Sequence, residues 1–365
     1  MNEFDWNFRM LEQAKGLLSC GKASSNARIL LSAAVFGSCT VLTPAAVAGE
    51  SPTENSVVTT IKPIHGLVAE VLGNEGAPRL LVDGAASPHT YALKPSDARA
   101  LNAAKVFFRV SPDVEPFTRK IVAAIPPSVT VVTLAETPGL VLLKRRSGNA
   151  FETHDHSAAD EHGHADHGHG DHHNGHRHHE KDDANAADGR IENNDGHVWL
   201  DPENAKAMTR AIRDALSAAY PDKKDIFQRN ADATIARLDA LSTEVNTMLE
   251  PVKGRPFVVF HDAYQYFEAR FGVPAIGSIT VSPEVQPSAK RLTAIREKIR
   301  ASNAHCVFAE PQFQAKLVAT VTEGTGARAG TLDPEGATVA AGPGAYDRLI
   351  RGLAANLKDC LSAGS

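Results

Sequence analysis

Short apolar runs that resemble buried strands alternate with helical segments along most of this chain. One block of this alternation extends from Val57 to Leu134 and a second from Phe257 to Leu361. Neighbouring parallel strands need a crossover, usually a helix, so each block predicts a parallel sheet covered by helices. With 365 residues, 42% of them hydrophobic, the chain can bury two cores. The sequence therefore predicts an α/β fold with two parallel-sheet lobes.

A long amphipathic stretch separates the two blocks. Its apolar residues keep to one stripe from about Asp225 to Val252. At about 1.5 Å per residue, such a helix spans roughly 40 Å and suits a rigid connection between lobes. We therefore assign residues 49–220 to an N-terminal lobe, 221–253 to a linker helix and 254–365 to a C-terminal lobe.

The segment 151–195 differs in composition from both blocks. Eleven of the sixteen histidines lie between His154 and His179, interleaved with aspartate and glutamate, and hydrophobic side chains are almost absent. Too little apolar surface is available to offset the entropy of ordering, so the sequence predicts a disordered loop within the N-terminal lobe. Because neutral imidazole binds zinc, nickel and copper, this segment is expected to collect metal weakly.

The first 48 residues are predicted to be an N-terminal extension followed by a signal peptide. Basic residues precede an apolar run, and Ala46-Val47-Ala48 has the small-x-small form of a cleavage site. The apolar run is too short to span a membrane. Cleavage would start the exported chain at Gly49. Two alternatives stay open, namely a later start such as Met10 and lipid attachment at Cys39.

Cleavage at that position would leave two cysteines, Cys306 and Cys360. Two cysteines in an exported protein commonly form a disulfide, because the compartments outside the cytoplasm are oxidising. Two buried free thiols are the alternative at this point.

Three isolated histidines, His89, His197 and His261, follow strand-type segments. Ligands of open α/β sheets bind beyond the carboxyl ends of the strands, and these ends of the two lobes can face one cleft. Three imidazoles with water or one carboxylate form a tetrahedral zinc site. The sequence therefore predicts a metal site in the interlobe cleft, with these three histidines as ligands.

The fourth ligand is open. The carboxylates nearest in sequence to the three histidines, Asp83, Asp262 and Asp333, are candidates either to bind the metal or to orient a ligand ring. We expect water, with Asp333 as the alternative. His65 and His305 are weaker candidates, because the first opens a helix and the second precedes a buried strand.

Four motifs occur in order along the chain. They are Ala86-Ser87-Pro88-His89-Thr90-Tyr91, His197-Val198-Trp199-Leu200-Asp201-Pro202, Val259-Phe260-His261-Asp262-Ala263-Tyr264 and Phe308-Ala309-Glu310-Pro311-Gln312-Phe313. Together with the histidine-rich insert, they resemble the ZnuA family, the periplasmic zinc-binding proteins of bacterial ABC importers. The resemblance covers essentially all of residues 55–362.

This resemblance implies a cluster A-I binding protein, with two α/β lobes joined by a rigid helix and Zn²⁺ between them. Pro88 stands where some relatives have a glutamate, so no carboxylate ligand comes from that position. The family's zinc histidines carry over onto His89, His197 and His261, and its C-terminal disulfide onto Cys306 and Cys360.

The function that the resemblance implies is periplasmic capture of Zn²⁺ by a monomer without enzymatic activity. The metal would pass to a membrane permease whose ATPase lies on the cytoplasmic side. A zinc hydrolase and a free-standing metal buffer are the competing functions. The sequence contains no His-Glu-x-x-His motif. Glu310 is the best candidate for a hydrolase's general base, but we expect it to have a structural hydrogen-bonding role instead. The mild formal charge of −5 gives no indication of nucleic-acid binding.

Overall fold

A computed structural model describes residues 56–146, 151, 193–280, 283 and 285–363. The predicted signal peptide with its cleavage site lies outside the described residues, and so does most of the predicted disordered loop. Within the described part of the chain, no helix has both the length and the apolar composition needed to cross a membrane.

The N-terminal lobe alternates strands with helices, as predicted. In chain order its elements are β1 (Val57–Thr59), α1 (Lys62–Leu72), β2 (Arg79–Leu80), α2 (Pro95–Ala103), β3 (Val106–Arg109), α3 (Phe117–Val122) and β4 (Thr130–Thr133). The strands form a parallel sheet in the order β2-β1-β3-β4. All three residues of β1 are buried, because helices cover both faces of such a sheet.

The C-terminal lobe repeats this architecture. Its elements are β5 (Phe257–His261), α6 (Gln265–Phe271), β6 (Ser278–Thr280), α7 (Ala289–Ala301), β7 (Cys306–Ala309), α8 (Lys316–Thr322), β8 (Arg328–Thr331) and α9 (Ala345–Ser362). Its strands are again parallel, in the order β6-β5-β7-β8. A disulfide between Cys306 and Cys360 joins β7 to α9. The two parallel sheets confirm the predicted fold class.

Two further helices connect the lobes. The first, α4 (Pro202–Ala219), begins after Asp201, whose carboxylate accepts a hydrogen bond from the backbone N–H of Glu203 at 2.8 Å. The second, α5 (Lys224–Leu249), is the predicted long helix, and its buried stripe packs against α1, α4 and α9. It therefore contacts elements of both lobes. The lobe boundaries 49–220, 221–253 and 254–365 stay predictions.

The core extends through both lobes. One continuous hydrophobic cluster includes Val57 in β1, Leu241 in α5 and Leu353 in α9. A smaller cluster, which includes Val258 and Ile295, fills the space between the C-terminal sheet and the helices α7 and α8. Successive residues of a strand face opposite sides of the sheet, which is why β5 contributes to both clusters.

The strand-like setting predicted for His197 is wrong. The apolar run that follows it, Val198–Leu200, forms a 3₁₀ helix, and its three side chains are buried. The indole Nε1–H of Trp199 donates to the carbonyl of Pro334 at 2.9 Å, and the Tyr346 hydroxyl donates to the carbonyl of Trp199 at 2.8 Å. Burial of a short turn between the lobes explains an apolar run that resembles a strand.

Candidate metal centre

The three predicted histidines come together at the interface of the lobes. His89 lies in a turn that the Thr90 N–H closes by donating to the Ser87 carbonyl, His197 precedes the 3₁₀ helix, and His261 ends β5. One ring nitrogen from each lies within 4.8 Å of the other two. Within the described residues, this group includes no carboxylate.

The ring geometry matches a tetrahedral metal site. The Nε2 atoms of His197 and His261 are 3.4 Å apart. Two nitrogens that each bind zinc at about 2.0–2.1 Å with a tetrahedral angle are about 3.3–3.4 Å apart. The His89 ring centroid lies 5.6 Å from that of His197 and 5.8 Å from that of His261. The three rings can therefore share one ion.

A carboxylate holds the outer nitrogen of two of these rings. His197 Nδ1 lies 2.7 Å from Asp195 Oδ1, which also accepts the backbone N–H of His197 at 3.0 Å. His261 Nδ1 lies 2.7 and 2.8 Å from the two carboxylate oxygens of Glu310. Because a carboxylate accepts the Nδ1–H, the lone pair of each ring is left on Nε2, where a metal can bind it.

The pKa values of His89 and His261 are shifted in opposite directions. Burial, followed by the proximity of His197 and His261, lowers the pKa of His89 well below its ordinary value. Burial alone would also lower the pKa of His261, but the adjacent Glu310 carboxylate outweighs it, so the pKa of His261 is raised. The His89 ring therefore stays neutral to lower pH than an ordinary histidine, whereas the His261 ring binds a proton more readily.

The carboxylates proposed from sequence to orient the rings do not do so. Asp83 lies 3.2 Å from Lys62 Nζ, and Asp262 is hydrogen-bonded by Arg146. Asp333 Oδ1 accepts hydrogen bonds from the side-chain amide of Gln312 and from the backbone N–H of Gly336. Each of these carboxylates is engaged elsewhere. The prediction that one of them orients a ligand ring is wrong.

Sequence reasoning missed Asp195 in this role. For Glu310 it expected structural hydrogen bonding but did not identify His261 as the partner. Asp195 lies two positions before His197, a short spacing that lets one carboxylate reach both the ring and the backbone. Glu310 follows β7, and β7 pairs with β5, which ends at His261. Adjacent parallel strands end at the same edge of a sheet, so this pairing was the signal available for Glu310.

The two weaker candidates lie outside the group of three. His65 Nε2 is 3.0 Å from the carbonyl of Pro78, and its Nδ1 accepts the backbone N–H of Gly342 at 3.3 Å. His305 directly precedes β7, and its backbone N–H donates to the Pro256 carbonyl. The hydrogen bonds of His65 give its side chain a structural role.

A cavity of about 430 Å³ adjoins the three histidines. Since one water occupies about 30 Å³ in the liquid, this cavity has room for a water as a fourth ligand. Its lining combines charges of both signs from the two lobes, with Asp113, Arg145, Arg146, Asp195 and Asp262 among them.

The family profile described as "Zinc-uptake complex component A periplasmic" matches residues 57–360. The chain belongs to the ZnuA family. Among curated relatives, the High-affinity zinc uptake system protein ZnuA of Brucella suis biovar 1 (strain 1330) is 47% identical over 333 residues, which are 91% of this chain and 97% of that protein. The protein of the same name from Yersinia pestis is 34% identical over 306 residues, covering 84% of this chain and 91% of its own.

Solved structures share the fold of this ZnuA-family chain. A crystal structure of ZnuA superimposes with a TM-score of 0.64 at 22% identity and covers 85% of this chain and 99% of its own. The periplasmic zinc binding protein TroA from Treponema pallidum superimposes with a TM-score of 0.65 at 19% identity, covering 86% and 99% respectively. At these identities the likeness supports the two-lobed architecture and no more.

Proposed function

We propose that this protein captures Zn²⁺ in the periplasm and delivers it to the membrane permease of an ABC importer. The convergence of three imidazole nitrogens within 4.8 Å is the observation that carries the proposal. Relatives that match nearly the whole chain are named for high-affinity zinc uptake, which supports the same metal and the same role.

In this proposal His89, His197 and His261 bind the metal through ring nitrogens, and water takes the fourth position from the adjoining cavity. Imidazole suits zinc better than it suits manganese or magnesium, which prefer oxygen ligands. Asp333 is a poorer fourth ligand than water, because Gln312 and Gly336 already hydrogen-bond its Oδ1.

The division of ligands between lobes suits a carrier that must release its cargo. His89 and His197 belong to the chain before α4, whereas His261 ends a strand of the C-terminal sheet. Separation of the lobes would remove one of three ligands and weaken binding, which is the event that a permease has to produce.

Delivery rather than catalysis also agrees with the position of Glu310. Both of its carboxylate oxygens contact Nδ1 of His261, on the side of the ring opposite the Nε2 that faces the other histidines. A general base must reach the metal-bound water, and this carboxylate is buried behind the ring instead.

The remaining features of the proposal are a monomer, a permease partner with its ATPase, and export by cleavage after Ala48.

Zinc titration tests the proposal. The wild-type mature protein, a variant with residues 152–192 replaced by a short Gly-Ser linker, and that variant carrying His261→Ala are compared by calorimetry with a competing chelator. One tight site is expected in the first two proteins. In the third, zinc affinity should fall by more than about 100-fold, because losing only a residue that hydrogen-bonds a metal ligand typically costs about 10–100-fold. His305→Ala is the matched control and should bind as the parent does.

Two results would overturn the proposal. Absence of a tight site in the linker variant would make the histidine-rich segment a buffer and the three-histidine group incidental. Hydrolysis of a p-nitrophenyl ester or phosphate that requires zinc and disappears with His261→Ala would make the site catalytic.

A further inference from the structure

The chain on either side of the histidine-rich segment forms a short antiparallel pair, here called the stem (residues 143–146 and 193–196). Lys144 pairs with Asn194, the Arg145 N–H donates to the Asn193 carbonyl at 3.1 Å, and the Asp195 N–H donates to the Leu143 carbonyl at 2.8 Å. The second strand of the stem leads directly into His197. The position of the stem therefore fixes the position of that histidine.

The stem docks on helix α6 of the C-terminal lobe. The Tyr266 hydroxyl donates to the Asp195 carbonyl at 2.8 Å and accepts the Leu143 N–H at 3.0 Å. The Gln265 side-chain amide donates to the carbonyl of Lys144 at 3.1 Å. Since α6 begins four residues after His261, the contacts that hold the stem also set the distance between His197 and His261.

Arg146 makes the strongest of these contacts. Its guanidinium donates to Asp262, through Nε at 3.0 Å and also through Nη2, and to both oxygens of Glu268 at 2.6 and 3.0 Å. The Phe151 ring lies 3.9 Å from the guanidinium carbon. The Arg146 and Glu268 side chains are only 19% and 4% exposed, so these charges depend on each other for neutralisation. Asp262 is the residue that follows His261.

We propose that Arg146 is a positioning residue that holds His197 against His261 and thereby slows release of the bound metal. This inference rests on the proposed function. The bidentate pairing of Arg146 with Asp262 joins the stem, which leads into His197, to the residue that follows His261. The planar guanidinium fixes both the distance and the orientation between these two segments. Without it, the buried Glu268 and the partly buried Asp262 lose their cation, and the stem loses its charged contact with α6.

A second ion pair between the two lobes, which does not include the stem, provides a matched control. Arg270, also on α6, donates to both carboxylate oxygens of Asp201 at 2.6 and 2.8 Å. Asp201 caps α4 and lies four residues beyond His197, so this pair holds the lobes together without touching the stem. Loss of Arg270 should lower stability but leave the metal geometry intact.

The experiment compares wild type, Arg146→Met, Arg146→Lys and Arg270→Met in the full mature chain, each loaded with one equivalent of metal. Zinc dissociation into excess chelator gives the release rate, the visible spectrum of the Co²⁺ form reports ligand geometry, and thermal unfolding reports stability. Arg146→Met is expected to release zinc about tenfold faster and to alter the Co²⁺ spectrum, in line with the cost of losing partners around metal ligands. Arg146→Lys should recover part of the loss, and Arg270→Met should change only the unfolding temperature.

Equal release rates and Co²⁺ spectra for wild type and Arg146→Met would overturn the inference, even if Arg146→Met unfolds earlier. If Arg146→Met fails to fold, Arg146→Met combined with Glu268→Gln removes one stranded buried charge and is measured instead, with the same outcomes. Failure of the wild type to bind one equivalent of zinc tightly would refute the proposed function itself, so the two failures are distinguishable.

Discussion

His197 and His261 face each other across the lobe interface with Nε2 atoms 3.4 Å apart, although 64 positions separate them in the chain. Asp195 lies behind the first ring and Glu310 behind the second. Each carboxylate accepts an Nδ1–H, which turns the free lone pairs toward each other. The two rings are thus arranged so that one metal ion could bind both, and this makes the ring partners suitable targets for testing.

Glu310→Gln should change how zinc affinity depends on pH. Because Glu310 raises the pKa of His261, protons begin to displace zinc above the ordinary histidine pKa of about 6.5 and the wild-type affinity falls as the pH drops through that region. The amide keeps a hydrogen-bond acceptor but no charge, so burial then lowers the pKa of His261. At pH 8 the variant should bind about 10–100-fold more weakly than wild type, and the two affinities should converge toward pH 5. Chelator competition at each pH measures this, and parallel curves would contradict it.

His261→Glu should shift the metal preference toward manganese, since carboxylate oxygen suits a harder ion and imidazole suits zinc. Glu310 faces position 261 at hydrogen-bond distance, and two adjacent carboxylates would repel each other. The substitution is therefore made together with Glu310→Gln, with Glu310→Gln alone as the control. Competition between Zn²⁺ and Mn²⁺ gives the preference ratio. A ratio that is the same in the double variant and the control would refute the role of imidazole number.

Gly196→Ala should displace His197. A Cβ at position 196 would lie 2.6 Å from Val114 Cγ2, well inside van der Waals contact. Overpacking of this kind typically costs about 1–3 kcal/mol, and here the strain falls on the residue next to a proposed ligand. Weaker zinc binding and a lower unfolding temperature are both expected. The added substitution Val114→Ala removes the clashing methyl group and should restore most of both. Lack of recovery in the double variant would show that the clash is not the cause.

Glu115→Gln should flatten the dependence of stability on pH. Burial raises the pKa of Glu115 from 4.5 to about 7, although Thr60 and the backbone N–H groups of Val110 and Ser111 oppose this by hydrogen bonding. The folded state therefore holds this proton more tightly than the unfolded state. The contribution of protonated Glu115 to the free energy of unfolding is complete below pH 4.5 and is lost as the pH rises through about 7.

The lost contribution amounts to about 3 kcal/mol at 1.36 kcal/mol per pKa unit. Glutamine has the shape and hydrogen-bonding pattern of the protonated acid, so the variant should lack this decline. Urea unfolding between pH 4.5 and 8 measures the difference, with the exposed Glu136 substituted as Glu136→Gln for comparison. A slope that is unchanged in Glu115→Gln would contradict the assignment.

The sequence was sufficient to predict the architecture and the convergence of three histidines, because both depend on local signals. That these histidines bind the metal stays a prediction. Strand and helix periodicity can be recognised within a few residues, and His89 and His261 lie near the ends of apolar runs where α/β sheets bind ligands. The contacts of Arg146 could not be predicted in the same way. Its partners Asp262 and Glu268 lie 116 and 122 positions away, and only the assembled lobes bring them together.

His197 shows the limit of a periodic pattern. An apolar triplet after a polar segment suggests a strand, yet Val198–Leu200 is buried as a single turn between the lobes. The antiparallel stem could not be predicted either, because the polar insert separates its two strands by more than forty residues of different composition. Strand pairs that are separated by so long an insert cannot be predicted from patterns within a few neighbouring residues.

The core that passes from β1 through α5 to α9 affects how the two halves can move. A helix whose buried stripe is shared by both lobes resists bending, since any large swing would open a void along that stripe and forfeit close-packed contacts. Release of the metal should therefore need only a small separation of the lobes at the cleft that holds the three histidines. The energy needed for it depends on a few polar contacts there and not on the bulk of the hydrophobic interior.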